Sequence, residues 1–169
     1  LSVAILILGL LVWLAMDLDD ARAPLRTANL PANAGTIALL IVLIAYAQVA
    51  LGAFVAGLKA GLAYNTWPLM NGQWVPDDLF AMSPWLVNFV ENATTVQFNH
   101  RLLAYIVVAL GVWHCISILR SGARDTIRTS AILLGCGLLA QMALGIITLL
   151  HAVPIGLGIA HQGFAAVVL

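Results

Sequence analysis

The chain has 169 residues, of which 63% are hydrophobic and only 8% are charged, and its formal net charge is zero. Soluble domains carry roughly 25% charged residues, so a chain this poor in charge cannot cover a surface that faces water. The absence of net charge gives no basic face for nucleic acid, and the composition predicts a protein whose solvent is the lipid bilayer.

Apolar runs divide the chain and predict an all-α, polytopic membrane protein, because a helix satisfies its own backbone hydrogen bonds in lipid. The runs are Leu1–Met16, Thr36–Leu58, Thr94–Leu119, Thr129–Leu150 and Ile155–Leu169. The first and last are shorter than the roughly 20 residues of a spanning helix, so both are expected to be truncated. We therefore expect a fragment of a longer protein. It would consist of a truncated transmembrane helix at 1–16, a cytoplasmic-side linker at 17–35, and a four-helix bundle at 36–169 with an outer loop at 59–93.

The charges of the connecting segments predict the orientation of the bundle. The third connection carries Arg120, Arg124 and Arg128 against Asp125 alone, and the first carries two arginines beside three aspartates. The positive-inside rule places these two connections in the cytoplasm or its organellar equivalent. The acidic loop 59–93 and the short turn before Pro154 then lie outside. This loop is rich in tryptophan and phenylalanine, which suits either an anchor at the headgroup level or a lid over a site.

A short motif occurs twice at matching depth. Gln48-Val-Ala-Leu-Gly52 lies in the second run and Gln141-Met-Ala-Leu-Gly145 lies in the fourth. Residues four apart share one face of a helix, so each glutamine lies on the same face as its glycine, one turn away. Because both runs cross the membrane in the same direction, the repeat predicts two related hairpins.

Two of the four histidines are predicted to reach one level in the membrane. His100 and His161 each lie roughly 9–10 Å below the outer end of a different helix. Ionisable groups at such depth are usually functional. The pair suits the two axial positions of a haem iron, or else two interhelical hydrogen bonds. Zinc is a weaker candidate, because two histidines alone do not complete its tetrahedral site.

The neighbours of these histidines allow the same two interpretations. Gln97 shares the face of His100, and small residues at Ala104, Gly158 and Ala165 would admit either a porphyrin or a neighbouring helix. Arg101 could bind a haem propionate or extend to the headgroups. We interpret His114 as an interfacial residue at the inner end. His151 is either exposed to solvent or part of the pocket rim, with exposure favoured.

Several stretches together resemble the haem A synthase family in its proteobacterial and mitochondrial form. They are Gly52–Gly72, Trp74–Asp78, Val96–Tyr105, Leu144–Leu150 and Ala160–Ala165. This resemblance implies an integral protein of the bacterial plasma membrane, or of the mitochondrial inner membrane, with two similar four-helix halves. Such enzymes oxidise the C8 methyl of haem O to a formyl group, making haem A for cytochrome oxidase.

The resemblance further implies that this chain is mainly the second half, which binds a cofactor haem b. His100 and His161 match its axial iron ligands, while the substrate site for haem O belongs to the first half. The expected cofactor-binding residues are His100, His161, Gln97, Arg101, Gln48, Gly52, Gln141 and Gly145, and no catalytic residue is assigned. Candidate partners are haem O synthase, cytochrome oxidase assembly factors and a second copy of the chain. The alternatives are a membrane cytochrome b that only carries electrons and a transporter or structural bundle without haem.

Overall fold

The computed structural model describes residues 29–169 together with Ile7 and Gly9–Leu11. Most of them are helical, and the exceptions include residues 29–33, the connections 121–124 and 151–154, Leu169 and much of the outer loop. Most of the predicted truncated helix at 1–16 and of the linker at 17–35 therefore lies outside the described residues. The division of the chain at 17–35 stays a prediction.

Four long helices make up most of the described chain. They are α1 (Ala34–Gly57), α2 (Ala93–Arg120), α3 (Asp125–Leu150) and α4 (Ile155–Val168). The first three are long and apolar enough to cross a membrane, and α4 is a shorter apolar helix of 14 residues. The described residues contain no strand beyond a single bridge between Met70 and Gln73. The predicted all-α, polytopic membrane architecture is confirmed.

The helix ends follow from local chemistry. The side chain of Asn92 accepts hydrogen bonds from the backbone N–H groups of Thr94 (2.9 Å) and Thr95 (3.2 Å), which satisfies free donors at the start of α2. After α2 ends, Gly122 adopts a φ of +73°, a left-handed conformation that glycine accepts without steric cost. Pro154 precedes α4, where its missing N–H costs no helical hydrogen bond.

Helix α3 begins at Asp125, four residues before the predicted start at Thr129. The prediction relied on the apolar run, and the added turn is charged. Asp125 suits the positive end of the helix dipole. Arg128 turns back and donates from Nη1 to the carbonyl of Leu119 at 2.8 Å, near the end of α2. Charged residues therefore extend the helix, and the inner connection shortens to residues 121–124.

The helices pack in chain order, α1 on α2, α2 on α3 and α3 on α4. Small residues allow the close approach of α2 and α3, since a Cβ atom at Gly111 would overlap the side chain of Leu138. In the described part of the chain, no comparable packing joins α4 to α1 or α2. Leu43 and Leu133 remain 59% and 66% exposed, as expected for side chains whose solvent is lipid.

The outer loop has structure of its own. It contains short 3-10 helices at Ala60–Leu62 and Trp85–Val87 and a helical turn at Asn88–Glu91. The buried side chain of Asn88 accepts from the backbone N–H of Met82 (2.9 Å) and donates to the carbonyl of Trp85 (2.8 Å). This loop is a folded cover at the outer ends of the helices.

Candidate functional site: two histidines in matching surroundings

His100 on α2 faces the repeated motif on α1. The side-chain nitrogen of Gln48 donates to the backbone carbonyl of His100 at 3.0 Å. The same nitrogen lies 3.1 Å from Nδ1 and 3.3 Å from Nε2 of the imidazole. A Cβ atom at Gly52 would stand 3.2 Å from Cε1 of that ring. The glutamine thus holds the histidine, and the glycine leaves room for its ring.

His161 on α4 has the same relationship with α3. The side-chain nitrogen of Gln141 donates to the carbonyl of His161, again at 3.0 Å. A Cβ atom at Gly145 would stand 2.8 Å from Cε1 and 3.3 Å from Nε2 of the imidazole. The two Gln-x-Ala-Leu-Gly motifs therefore make equivalent contacts with a histidine in the two hairpins, α1–α2 and α3–α4, as their matched depth suggests.

The two histidines, each with its glutamine and glycine, form two half-sites at matching depth near the outer end of the bundle. His100 is residue eight of α2 and His161 is residue seven of α4, so both lie about 9–11 Å from the helix starts. The two imidazoles lie on different helices, and α4, which carries His161, packs mainly on α3.

Gln97 and Arg101 bind the outer loop to this end of α2. Arg101 donates from Nη1 to the carbonyl of Thr66 and from Nη2 to the carbonyl of Tyr64, both at 2.9 Å. Gln97 donates to the same Tyr64 carbonyl at 3.0 Å. Both residues lie one turn or less from His100, so their hydrogen bonds hold the loop close to His100.

The buried polar atoms without partners are concentrated in this region. Buried polar groups normally find hydrogen bonds, so each exception needs an explanation. In residues 29–169 the side-chain exceptions are Gln48 Oε1, Gln97 Oε1, Arg101 Nε, Gln141 Oε1 and His161 Nδ1. All five atoms belong to residues that the sequence assigns to the site.

The other two histidines lie elsewhere. His151 is exposed at the end of α3, where its Nδ1 donates to the carbonyl of Ile147 at 2.8 Å. The exposed interpretation of His151 therefore agrees with the structure. His114 is buried, with only 8% of its surface exposed, and its interfacial depth stays a prediction. It lines a cleft of about 260 Å³ between the inner ends of α1, α2 and α3, with neighbours that include Ala34 and Ser130.

Sequence reasoning missed Asn65, which joins the loop to the second hairpin. Its side-chain nitrogen donates to the carbonyl of Gly61 and, at 3.3 Å, to that of Leu149 near the end of α3. Asn65 lies inside a stretch that carries the family resemblance, but its acceptors are backbone carbonyls, which every residue possesses. The metal-ligating side chains of the described residues form no group of three or more.

Comparison with known proteins adds an independent observation. A family model described as cytochrome oxidase assembly protein, COX15-CtaA, matches residues 1–169. The chain belongs to this family. The similarity extends to individual proteins named heme A synthase. The sequence identity is 44% over 171 residues with the heme A synthase of Bradyrhizobium sp. BTAi1 and 46% over 173 residues with the heme A synthase of Rhizobium meliloti 1021. It is 49% over 174 residues with the heme A synthase of Methylobacterium nodulans.

Each of these alignments covers 100% of this chain and 45–46% of the relative, so the chain spans about half the length of the curated relatives it matches. No solved structure matches it. As a member of this family with candidate membrane spans and bacterial relatives, the chain belongs to an integral protein of the bacterial plasma membrane. The predicted family resemblance is confirmed.

Proposed function

We propose that this chain is the second half of a haem A synthase and that it holds a b-type haem between His100 and His161. In such an enzyme the C8 methyl of haem O is oxidised to a formyl group. The family match and the names of the curated relatives support the enzyme assignment. We place the site for the substrate, haem O, in the half of the enzyme that this chain does not contain.

The observation that carries the haem assignment is the clustering of unpartnered buried atoms. Leaving a buried polar group unpaired costs about 1–3 kcal/mol, and five such atoms surround one pair of histidines. Among them Nε of Arg101 is a donor that a carboxylate of the ligand could accept from, whereas the three glutamine oxygens are acceptors that need donors from the protein. The two facing glycines leave room for the imidazole rings, which approach the helix backbone at these positions. These features fit a flat macrocycle with one histidine on each side.

The number of ligands also favours haem over a simple metal ion. A six-coordinate haem iron needs only two protein ligands, whereas a structural zinc site needs four. Among the described residues no third histidine, cysteine or carboxylate joins His100 and His161 in a group that could hold a metal ion. Two imidazoles from different helices are therefore a complete ligand set for haem and an incomplete one for zinc.

Arg101 and Gln97 would bind the polar edge of the haem. Two terminal nitrogens of Arg101 are already bound to loop carbonyls, while its Nε is buried and has no partner. That N–H can donate to a carboxylate in a charge-assisted hydrogen bond. We assign it to a haem propionate beneath the outer loop. This assignment gives the loop the role of a lid over the site, in addition to any contact with lipid headgroups.

A bis-histidine haem supplies one-electron transfer when it is bound. The oxidation of a methyl group to a formyl group is a multi-electron reaction, so a one-electron relay beside the substrate half would pass those electrons singly. The residues of this chain would orient the haem, exclude water through the outer loop and fix both ligands. Haem O is the proposed substrate, and haem O synthase, cytochrome oxidase assembly factors and a second copy of the chain are proposed partners.

The test is haem analysis of the full-length protein purified from membranes. We expect a low-spin, six-coordinate b-type spectrum, with haem b identified by chromatography after extraction. His100→Ala and His161→Ala should each remove haem b or convert it to high spin. His151→Ala is the matched control, because His151 is exposed and lies on the adjacent turn, and it should keep the wild-type spectrum.

Two results would contradict this proposal. A low-spin haem b that survives both axial substitutions would exclude His100 and His161 as ligands. A wild-type protein that binds haem b but produces no haem A in cells supplied with haem O would instead be a membrane cytochrome that only carries electrons.

A further inference from the structure

The two glutamines of the repeat, Gln48 and Gln141, make the same kind of hydrogen bond, and each has the same kind of polar atom without a partner. Each donates from its side-chain nitrogen to the backbone carbonyl of a histidine, at 3.0 Å in both hairpins. Each also has a buried side-chain oxygen without a partner. Gln48 and Gln141 lie 52 and 20 residues from their histidines, so this agreement reflects tertiary structure and not local sequence.

The complementary atom is on the histidine ring. Nδ1 of His161 is buried and has no hydrogen-bond partner, although the carboxamide of Gln141 already contacts the backbone of the same residue. In the other hairpin, Nδ1 of His100 lies 3.1 Å from the side-chain nitrogen of Gln48. In both hairpins the glutamine nitrogen is bound to the backbone of the histidine, and the glutamine oxygen is an acceptor that has no partner.

We propose that Gln48 and Gln141 are paired positioning residues, each of which holds the backbone of one haem-ligating histidine and accepts the Nδ1–H of its ring. This inference rests on the proposed bis-histidine haem. A histidine that binds iron through Nε2 carries its proton on Nδ1, and that N–H is normally fixed by an acceptor. One carboxamide would then fix both the ring orientation and the helix position of each ligand.

The choice of an amide has chemical consequences for the iron. A carboxylate acceptor makes the imidazole more basic and stabilises ferric iron, which lowers the midpoint potential. A neutral amide oxygen has the same effect more weakly. It also avoids burying another charge in lipid, where ionised side chains are costly. Glutamine thus fixes the ligand while keeping the midpoint potential higher than a carboxylate partner would.

The experiment compares three substitutions in the full-length protein. Gln141→Met keeps similar volume but removes the acceptor, and Gln141→Glu keeps an oxygen acceptor. Gln162→Met is the matched control, because Gln162 is exposed on the same helix next to His161. The readouts are the midpoint potential of haem b and the g-values of its low-spin ferric EPR signal, which report the orientation of the imidazole planes.

We expect Gln141→Met to raise the midpoint potential and shift the g-values, Gln141→Glu to leave the potential at or below that of the wild type, and Gln162→Met to change neither. Gln48→Met should act in the same direction as Gln141→Met. Loss of haem b from Gln141→Met with retention in Gln141→Glu would also support the inference, since only the second keeps the acceptor.

Unchanged potential and g-values in Gln141→Met and Gln48→Met would overturn the inference, as would loss of haem from both Gln141 variants. These results are distinct from failure of the proposed function. If His100→Ala and His161→Ala remove haem b while the glutamine variants behave as the wild type, the haem assignment stands and only the glutamine role is wrong. If the histidine variants keep haem b, both are wrong.

Discussion

The Cε1 atom of His161 lies only 2.8 Å from the position that a Cβ atom at Gly145 would occupy. Real Cβ atoms do not approach other atoms this closely, so any side chain at Gly145 must displace the imidazole. The corresponding distance from His100 to Gly52 is 3.2 Å, which a shift of a few tenths of an ångström would relieve. The second hairpin is therefore the tighter of the two half-sites.

This difference predicts a ranked effect of alanine substitution. Overpacking costs about 1–3 kcal/mol, which corresponds to about 5- to 150-fold in affinity. Gly145→Ala should lose most of its haem b, and Gly52→Ala should lose less, as measured by the haem-to-protein ratio after purification. Gly163→Ala is the control, because a Cβ there would meet nothing within 4 Å. Equal occupancy in all three variants would show that the glycines do not limit the site.

Arg101 is predicted to hold the outer loop closed. Hydrogen bonds to charged groups contribute about 1.5–3 kcal/mol each, so Arg101→Met should speed amide exchange of the segment around Tyr64 and Thr66 by about ten- to a hundred-fold. Exchange at Met82, whose backbone N–H donates to the side chain of Asn88, should not change. Arg124→Met, at an exposed arginine, serves as the control. Unaltered exchange near Tyr64 would mean that Arg101 does not fasten the loop.

Asp78 is predicted to make stability depend on pH at the outer surface. A hydrogen bond from Thr94 (2.6 Å) and another from Tyr64 (2.9 Å) hold the pKa of Asp78 below its ordinary value of 3.8. Because the folded pKa is the lower one, the added stability is complete above that ordinary value and is lost as the pH falls through the folded pKa. Protonation at low pH therefore removes the contribution that the ionised carboxylate makes at neutral pH.

The corresponding test is thermal unfolding in detergent at pH 7 and pH 3. Asp78→Asn should lower the midpoint by a few degrees at pH 7, and the difference from the wild type should shrink at pH 3. Glu91→Gln, an exposed carboxylate for which the structure gives no hydrogen bond, should leave the midpoint unchanged. A difference for Asp78→Asn that is the same at both pH values would contradict an electrostatic origin.

The orientation of the bundle is testable by cysteine labelling. After replacement of the native Cys115 and Cys136, a cysteine at Asp77 should react with a membrane-impermeant maleimide applied to the outer side. A cysteine at Arg124 should react only after the membrane is opened, because arginine-rich connections stay inside. Labelling of Arg124→Cys with protection of Asp77→Cys would reverse the topology.

Much of the fold could be predicted because its signals are local. Apolar runs located four helices to within a few residues, except at Asp125, where a charged turn extends α3. The depth of His100 and His161 and the repeat of Gln48 and Gln141 follow from counting along helices. Counting helix positions placed these four residues at matching depth before their contacts were known.

The contacts within the site could not be predicted in the same way. Arg101 is a recognisable cation, but its acceptors are carbonyls 35 and 37 residues earlier in the chain. Backbone carbonyls have no sequence signature, so neither this pair nor the partners of Asn65 could be named. The burial of His114 likewise depends on how closely three helices approach at the inner end.

The unequal connections between the helices have a consequence for biogenesis. Each half-site places its glutamine and glycine on the first helix of a hairpin and its histidine on the second. Only His151–Pro154 separate α3 from α4, with Ala152 and Val153 both left-handed at φ 57° and 54°, so the second hairpin can enter the membrane almost as one unit. In the predicted orientation, the first hairpin would be complete only after the whole outer loop has been translocated. Since the proposed ligand His161 is on α4, capture of the proposed haem would require synthesis of this region through its last described helix.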